Sequence, residues 1–477
     1  YTPVSLATVA TDTLTIAVDN GGTANTGTYT AGAITATNVE SLTLTTADWT
    51  AVTLGGITQT VATTAAASMT ASGASNLTLG TVADVASLSD TTGVDTYNFG
   101  GVAGTLSATI AANGSVSVTG AAGIDTITAS ADMTRSTSAR TQTYNLGNGD
   151  DSITFQSGNT GLGANVANKL VLNGEAGNDK FSYATTTTNA NIDLVTIAGG
   201  AGTDTLYISG GAVFGLTATV SGVEAITFAN TIAMTGATTL AWTGGATDIV
   251  TITELNTNAE MLTITTVAGS GVLNTSNWSW LGWAAVDKLS LTGDTGNDVL
   301  TGTIGLDTIT GGAGNDAINV GATDGVSDRV VFSAPASNGS DTITNFNAVT
   351  GATGDILYSR DFTFVAGTAA DTALNAANTA ACDDVSEFAN NVVAVNATEG
   401  VTAVTWQAAA NTGNIDTTLF SRLLVLDIGA TANIYYVENT TVADDNSVSI
   451  TLLGTFSDIE TITGGTTFVA ANFDFIA

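Results

Sequence analysis

Histidine is absent from this chain of 477 residues, and Cys382 is its single cysteine. Without an imidazole, Ser-His-Asp and Cys-His catalysis and the His-containing zinc sites are excluded, because each needs histidine as a base or a ligand. A single cysteine cannot form an intramolecular disulfide, so the fold must be stabilised by its core, by bound metal or by assembly. We therefore expect that the protein is not an enzyme, and a secreted hydrolase is the least favoured class.

Basic residues are scarce as well. Lys and Arg number 8 against 42 Asp and Glu, giving a net charge of −34, and charged residues make up only 10% of the chain. Such a surface repels nucleic acid and anionic lipid. The expected partner is a cation, because clustered carboxylates need counter-charge and calcium binds oxygen ligands.

Long apolar runs are missing too. No run reaches the ~18 residues of a membrane-spanning helix, so no transmembrane segment is predicted. The chain opens at Tyr1 without a signal-peptide pattern. We expect that a leader or an N-terminal region precedes this sequence, or that export uses another signal.

Short strand-like runs are abundant. With 54 glycines and 2 prolines, the chain repeats β-branched, alternating segments such as TLTIAV (13–18), SLTLTT (41–46) and KLSLTG (288–293). Alternation of this kind, bounded by Gly, Asn or Asp, is typical of strands. The sequence therefore predicts an all-β fold.

A corner phrase with a glycine two residues before an aspartate, Gly-x-Asp-x-apolar, recurs among these strands. Its aspartates follow one another at intervals of 30, 26, 28 and 25 residues, and they are Asp95, Asp125, Asp151, Asp179 and Asp204. A period of this size predicts one coil of a parallel β-helix per phrase, with the corners stacked. We expect an ion between each successive pair, with Asp150 as a further candidate ligand beside Asp151.

The period shortens in residues 293–319, where the phrase becomes the nonapeptide of calcium-binding β-rolls. Asp298, Asp307 and Asp316 lie nine residues apart, and the accompanying candidate glycines are Gly293, Gly296, Gly311 and Gly314. Because one coil of a β-roll holds two nonapeptides, Asp298 and Asp316 are expected to stack and share an ion. Asp307 is expected on the opposite side, with Asp324 or Asp328 as its partner. Degenerate repeats add Asp328 and Asp341 to the candidate ligands.

The nonapeptide has a physical basis. Glycine reaches backbone angles that are closed to other residues, so a tight turn can aim main-chain carbonyl groups inward. The aspartate adds a carboxylate oxygen, and since calcium takes roughly 6–8 oxygen ligands, neighbouring loops must complete the shell.

Three further features leave alternatives open. An acidic residue precedes a strand in NVESLTLT (38–45), GVEAITF (222–228), AVDKLSL (285–291) and DIETITG (458–464), either as a strand-start feature or as a solvated capping group. Trp278, Trp280 and Trp283 form either a core or interface cluster or a carbohydrate platform. The Asp150/Asp151 pair could serve in acid–base chemistry, but its place in a corner phrase favours ligation.

The predicted organisation has four parts. Residues 1–90 form an N-terminal β segment, 91–290 a solenoid with Gly-Asp corners, 291–360 the β-roll, and 361–477 a mostly β C-terminal domain. Within the last part, apolar spacing predicts one helix over 366–395. The strands that follow it are expected to pair antiparallel.

At its nonapeptides the chain resembles the RTX proteins, and from GAAGIDTI (120–127) to SGVEAITF (221–228) it resembles the surface-layer (S-layer) proteins of the Caulobacter type. The tail, with nonapeptides, paired strands and the terminus FVAANFDFIA, is similar to that family too. The resemblance implies a calcium-dependent two-dimensional lattice on a bacterial surface, often hexameric. It also implies type I secretion through an uncleaved C-terminal signal and attachment to lipopolysaccharide or a surface glycan. The alternative hypothesis is a secreted calcium-dependent adhesin or a matrix or filament protein.

Overall fold

The fold was obtained as a computed structural model of the chain. The structure describes residues 12–19, 21, 25–61, 66–84, 94–111, 115–129, 141–155, 169–185, 195–210, 217–230, 238–242, 249–255, 259–266, 273–321, 326–333, 335–347, 354–359, 375–376, 392–396, 422–428, 432–439, 448–456 and 473–475. The chain divides into two compact units. The first comprises residues 1–244, 249–261 and 278–282, and the second comprises 245–248, 262–277 and 283–477.

The first unit is built from short strands. In chain order they are β1 (Thr13–Val18), β2 (Asn25–Ala31), β3 (Ile34–Thr37), β4 (Ser41–Thr46), β5 (Trp49–Thr60), β6 (Ser68–Gly73), β7 (Asn76–Asp84), β8 (Val94–Val102), β9 (Leu106–Ala111), β10 (Ser115–Thr119), β11 (Thr126–Ala129), β12 (Thr141–Asn148), β13 (Ser152–Phe155), β14 (Lys169–Ala176), β15 (Lys180–Thr185), β16 (Val195–Ala201), β17 (Thr205–Gly210), β18 (Thr217–Ser221), β19 (Ala225–Asn230), β20 (Thr238–Trp242), β21 (Thr251–Glu254) and, after β22, β23 (Ser279–Leu281).

The second unit continues the series. Its elements are β22 (Met261–Thr266), β24 (Lys288–Thr292), β25 (Val299–Thr301), β26 (Leu306–Thr310), β27 (Ala317–Asn319), β28 (Arg329–Phe332), α1 (Pro335–Asn338), β29 (Asp341–Thr344), β30 (Ile356–Ser359), β31 (Asn375–Ala376), β32 (Val392–Asn396), β33 (Arg422–Ile428), β34 (Ala432–Asn439), β35 (Val448–Phe456) and β36 (Phe473–Phe475).

The strands of the first unit alternate between two parallel sheets. Sheet A has the order β1-β4-β6-β8-β10-β12-β14-β16-β18-β20. Sheet B has the order β2-β5-β7-β9-β11-β13-β15-β17-β19-β21-β23, with β3 also paired to β5. Because each strand pairs with its counterpart one coil later, the unit is a β-solenoid, and the predicted all-β parallel solenoid is confirmed.

The second unit repeats this plan with shorter coils and then changes it. β22-β24-β26-β28-β30-β36 pair in that order, and β25-β27-β29 form a second parallel series that continues into β35-β34-β33-β32-β31. The β33–β34 and β34–β35 pairs are antiparallel, as predicted for the C-terminal strands.

The helix predicted over 366–395 is wrong where the structure describes that stretch. Asn375–Ala376 and Val392–Asn396 are strands, and they lead into β33 by parallel pairing. Val392, Val393 and Val395 are β-branched and favour a strand over a helix. The rest of the predicted helix, including Cys382, lies outside the described residues. The one helix among the described elements is the four-residue α1, and no helix there is long and apolar enough to cross a membrane.

The core follows from the alternation within each strand. In β4, SLTLTT, Leu42 and Leu44 are buried while Ser41, Thr43 and Thr45 face outward. The register places equivalent residues directly above one another, so apolar side chains stack from coil to coil inside the solenoid. Leu206, Ile226 and Ile252 form one such stack, and all three are buried.

Truncation within this stack tests the packing. Ile226 is 0% exposed, so Ile226→Ala is expected to lower the free energy of unfolding by about 2–5 kcal/mol, through lost burial and the cavity left behind. Thr227→Ala, on the outward face of the same strand, should change it by no more than about 0.5 kcal/mol. Urea unfolding followed by circular dichroism measures both, and equal losses would contradict the assigned strand orientation.

Candidate functional site

A column of acidic side chains runs along one edge of sheet B in the first unit. We call it the first column, and its members are Asp125, Asp151, Asp179, Asp204 and Glu224. Each aspartate directly precedes a sheet B strand, and its carboxylate reaches back to the coil before it. The amide of Asp125 donates to Asp151 Oδ1 at 2.7 Å, and that of Asp151 donates to Asp179 Oδ1 at 2.9 Å. The amide of Asp179 donates to Asp204 Oδ1 at 2.7 Å, and that of Asp204 to Glu224 Oε2 at 2.8 Å.

A second column lies in the second unit, on the series β25-β27-β29. Its members are Asp298, Asp316 and Asp341. The amide of Asp298 donates to Asp316 Oδ1 at 2.8 Å, and that of Asp316 donates to Asp341 Oδ1 at 3.1 Å. Val299 is in register with Ala317, so the predicted 18-residue stacking of Asp298 on Asp316 is confirmed.

A third column lies on the other sheet of the second unit, and its members are Asp307, Asp328 and Asp355. The amide of Asp307 donates to Asp328 Oδ1 at 2.9 Å, and that of Asp328 donates to Asp355 Oδ1 at 3.0 Å. The sequence left Asp324 and Asp328 as alternative partners of Asp307, and Asp328 is the one that stacks on it. Asp307 lies on the opposite side of the coil from Asp298 and Asp316, as predicted. Asp324 lies outside the described residues.

The predicted pairing of Asp95 with Asp125 is wrong. Asp95 lies within β8 of sheet A, where its Oδ1 accepts the amide of Ala67 at 2.9 Å. Asp125 precedes β11 of sheet B, where its Oδ1 accepts the amide of Leu106 at 2.8 Å. The corner phrase precedes strands of both sheets, so its spacing alone does not identify the sheet to which an aspartate belongs.

Asp150 is separate from the first column. Its side chain is exposed, and its Oδ1 accepts the amide of Asn178 at 2.8 Å, while Asn178 Oδ1 accepts the amide of Thr203 at 2.8 Å. These residues form an exposed polar ladder beside the buried column. Asp150 and Asp151 thus occupy different ladders despite being adjacent in sequence.

Two column members were not among the predicted ligands. Glu224 ends the first column, and it comes from the phrase with an acidic residue before a strand. Asp287, from the same phrase, is not stacked on Asp307, because the register pairs Asp307 with Leu289. Glu40 stands at the equivalent place in sheet A, where its Oε2 accepts the amide of Asp12 at 2.8 Å. At Glu40 and Glu224 the phrase marks a carboxylate that accepts a main-chain amide of the preceding coil, a signal that was present in the sequence. The other member, Asp355, stands in the degenerate stretch TGDIL (353–357).

The glycines of the nonapeptides are needed because the coils approach closely. A Cβ on Gly311 would lie 2.2 Å from Asp316 Oδ2, and one on Gly293 would lie 2.1 Å from the carbonyl oxygen of Gly311. Gly314 has φ +129°, and its Cβ would lie 2.1 Å from the carbonyl oxygen of Gly296. The loops therefore aim carboxylate and main-chain oxygens into the same small space.

The same geometry recurs in the first column. The point where a Cβ would stand on Gly174 lies 2.2 Å from the Gly199 carbonyl oxygen and 2.3 Å from Asp179 Oδ2. Two oxygens from successive coils thus face one another across a corner with no side chain between them.

The column aspartates are buried, and one oxygen of several of them has no hydrogen-bond partner. Those oxygens are the Oδ2 atoms of Asp151, Asp179, Asp204 and Asp316. A buried carboxylate without compensating charge is costly, and the cost appears as a raised pKa. Burial, with like charges in neighbouring coils adding to it, raises the pKa of Asp151 and of Asp179 to about 7.

The other members shift in the same direction. Burial raises the pKa of Asp125 and of Asp316 to about 6 and that of Asp341 to about 7, and it also raises the pKa values of Asp204 and Asp298. In each case hydrogen bonds from main-chain amides lower the pKa but do not offset the burial.

The donor chemistry fits a hard cation. Among the described residues, no three or more His, Cys, Asp or Glu side chains converge as a metal-binding cluster. A cation here would combine a carboxylate oxygen such as Asp179 Oδ2 with main-chain carbonyls such as that of Gly199. An all-oxygen donor set suits calcium and offers nothing to the metals that prefer sulfur or nitrogen.

The tryptophan cluster is largely internal. In the first unit Trp278 is buried and packs on Trp242 with ring centroids 5.0 Å apart, and Trp280 lies 6.5 Å from Trp278. Trp283, in the second unit, is buried as well. The core interpretation therefore fits Trp278 and Trp283 better than a carbohydrate platform, which needs exposed rings.

Comparison with known proteins adds no relative: no family model, no curated protein and no solved structure matches the chain.

Proposed function

We propose that the chain is a non-catalytic structural protein whose aspartate columns bind calcium between successive coils. The observation that carries the proposal is the column of buried carboxylates whose Oδ2 oxygens have no partner. Carboxylates stacked at the spacing of neighbouring strands, about 4.8 Å apart, repel one another. A divalent ion held between coils would neutralise two of them and join the coils that carry them.

We further propose that the protein forms a surface layer, a calcium-dependent two-dimensional array on a bacterial cell, after export by type I secretion. The nonapeptides and the resemblance they carry support this assignment, as does a chain with little catalytic chemistry and abundant repeated structure. A rigid solenoid suits a building element, because each coil contacts only its neighbours and stiffness accumulates along the stack.

Removal of calcium tests the cation. The full chain in calcium is expected to unfold at a higher urea concentration than the same chain after chelation, because an ion that binds only the folded state stabilises it. At free calcium of about 100 times the dissociation constant, one site raises the free energy of unfolding by about 2.7 kcal/mol, and the contributions of further sites add to it. Magnesium at equal ionic strength is the control, since it demands a smaller octahedral shell. Identical unfolding curves with calcium, magnesium and chelator would overturn the proposed cation.

Electron microscopy of the assembled protein tests the array separately. A crystalline sheet in calcium that disperses with chelator supports the surface layer. Scattered fibres would instead support an adhesin or matrix protein, and they would not affect the proposal that the columns bind calcium.

A further inference from the structure

The outer face of sheet A carries two unbroken columns of neutral hydroxyl and amide side chains. The inner hydrophobic residues of β1, β4, β6, β8, β10 and β12 alternate with them. The first of these hydroxyl columns consists of Thr13, Ser41, Ser68, Thr96, Ser117 and Thr143. The second consists of Thr15, Thr43, Thr70, Asn98, Thr119 and Asn145. All twelve are half-buried or exposed, and none is charged or aromatic.

The spacing of this face is fixed by the backbone. Strands repeat about every 4.8 Å along the solenoid, and alternate residues lie about 7 Å apart along a strand. The register shift between β6 and β8 falls after Thr70, beyond both columns, so the grid is continuous over six strands. Seven of the twelve side chains are threonine, which is stiff at χ1, so their hydroxyl oxygens are held in place before any ligand arrives.

The side chains share one chemical property. A hydroxyl group donates one hydrogen bond and accepts up to two, and an asparagine amide does both as well. Water molecules in an ice surface have this same double capacity, carry no charge, and form rows whose repeats lie close to both spacings of the grid.

Other occupants fit less well. The two columns carry no charge that could bind an ion, and they carry no aromatic ring on which a polysaccharide could stack. The six strands present roughly 24 Å by 20 Å, or about 500 Å², which is less than the ~800 Å² per partner of a stable protein interface. A rigid, neutral grid needs little ordering to bind a rigid, neutral lattice.

We propose that this face, the outer surface of sheet A over β1, β4, β6, β8, β10 and β12, binds ice. The two hydroxyl columns take the positions of water molecules in the crystal surface, and the strand register keeps the columns aligned. The inference is independent of the calcium proposal, because it concerns a face that carries none of the column carboxylates.

Ice-affinity partitioning tests the proposal. The full chain, with calcium present, is mixed with serum albumin as an acidic reference and exposed to a slowly growing ice front. The native chain is expected to be enriched in the ice while albumin stays in the liquid. Thr96→Lys combined with Thr70→Lys places two charges in the middle of the grid, and the enrichment should be lost.

The matched control is Thr227→Lys, an outward threonine of β19 whose neighbours in register, Tyr207 and Thr253, lie on sheet B. It should keep the enrichment of the native chain, with circular dichroism confirming that all the variants are folded. The single change Thr70→Lys, at an exposed position, is the substitute if the double variant does not fold. Native chain left in the liquid like albumin would overturn the proposal, as would equal losses in the control and the grid variants. The proposal would also be overturned if the native chain were excluded from ice and instead formed a dimer, detected by sedimentation, that the grid variants disrupt.

Discussion

Freed of divalent cations, the protein is expected to be more stable at pH 5 than at pH 8. The carboxyl groups of Asp151 and Asp179 have pKa values near 7 in the folded state, against an ordinary value of 3.8. Between these values the folded chain binds more protons than the unfolded chain, so the free energy of unfolding falls as pH rises. The stabilisation from protonation is fully present below about pH 4 and is lost as pH rises through about 7.

The size of this effect follows from the shifts. One pKa unit corresponds to about 1.4 kcal/mol, and since the column members titrate together, their joint contribution is on the order of several kcal/mol. Urea unfolding of the dialysed protein at pH 5, 6, 7 and 8, at constant ionic strength, measures it. The column prediction fails if the cation-free midpoint is flat across this range or rises with pH.

Calcium should reverse the sign of the pH dependence. Since the ion binds the deprotonated carboxylates, protons compete with it, and its stabilising effect weakens as pH falls through about 7 to 6. The same titration repeated in calcium is therefore expected to show the more stable protein at pH 8. Opposite slopes under the two conditions separate ion binding from a general response of an acidic chain, for which both slopes would have one sign.

The sequence predicted the columns best where its period was strict. A nine-residue repeat fixes both the coil length and the side of the coil, so Asp298, Asp307 and Asp316 were assigned correctly to two sides. In the first unit the coils vary between 20 and 28 residues, as the stacked pairs there show. Loops of differing length absorb the variation, so a 30-residue interval could not show that Asp95 and Asp125 belong to different sheets.

Two other features required three-dimensional information. Glu224 has glutamate where the corner phrase has aspartate, and the phrase around it also fitted a solvated capping group. Only the hydrogen bond from the amide of Asp204 shows that its longer side chain reaches the place of an aspartate. The alternation of Thr with buried residues predicted each strand of sheet A. It could not predict that the outward residues of six strands fall into straight columns, because register depends on loop lengths between coils.

The replacement Asp179→Asn is expected to have opposite effects with and without calcium. Asparagine keeps the Oδ1 that accepts the amide of Asp151, which stands at 2.9 Å in the native chain. It replaces the partnerless Oδ2 by an amide group that can donate to the carbonyl oxygen of Gly199, which faces the same corner. Without calcium, a buried charge and its repulsion with Asp151 and Asp204 disappear, so the variant should be more stable than the native chain by about 1–2 kcal/mol.

In calcium the order should invert, because the variant has lost a charged ligand and its calcium midpoint should rise by about tenfold, or about 1.4 kcal/mol. Asp151→Asn should behave alike, and the double variant should raise the midpoint by less than the sum, since both changes act on one site. Asp150→Asn is the matched control: the carboxylate of Asp150 is exposed, and the change should stay within about 0.5 kcal/mol in both conditions. Calcium titration followed by circular dichroism, with urea unfolding at each end point, measures all four. If Asp179→Asn weakened the protein equally with and without calcium, its carboxylate would act only as a hydrogen-bond acceptor in the turn, and the columns would not be ion sites.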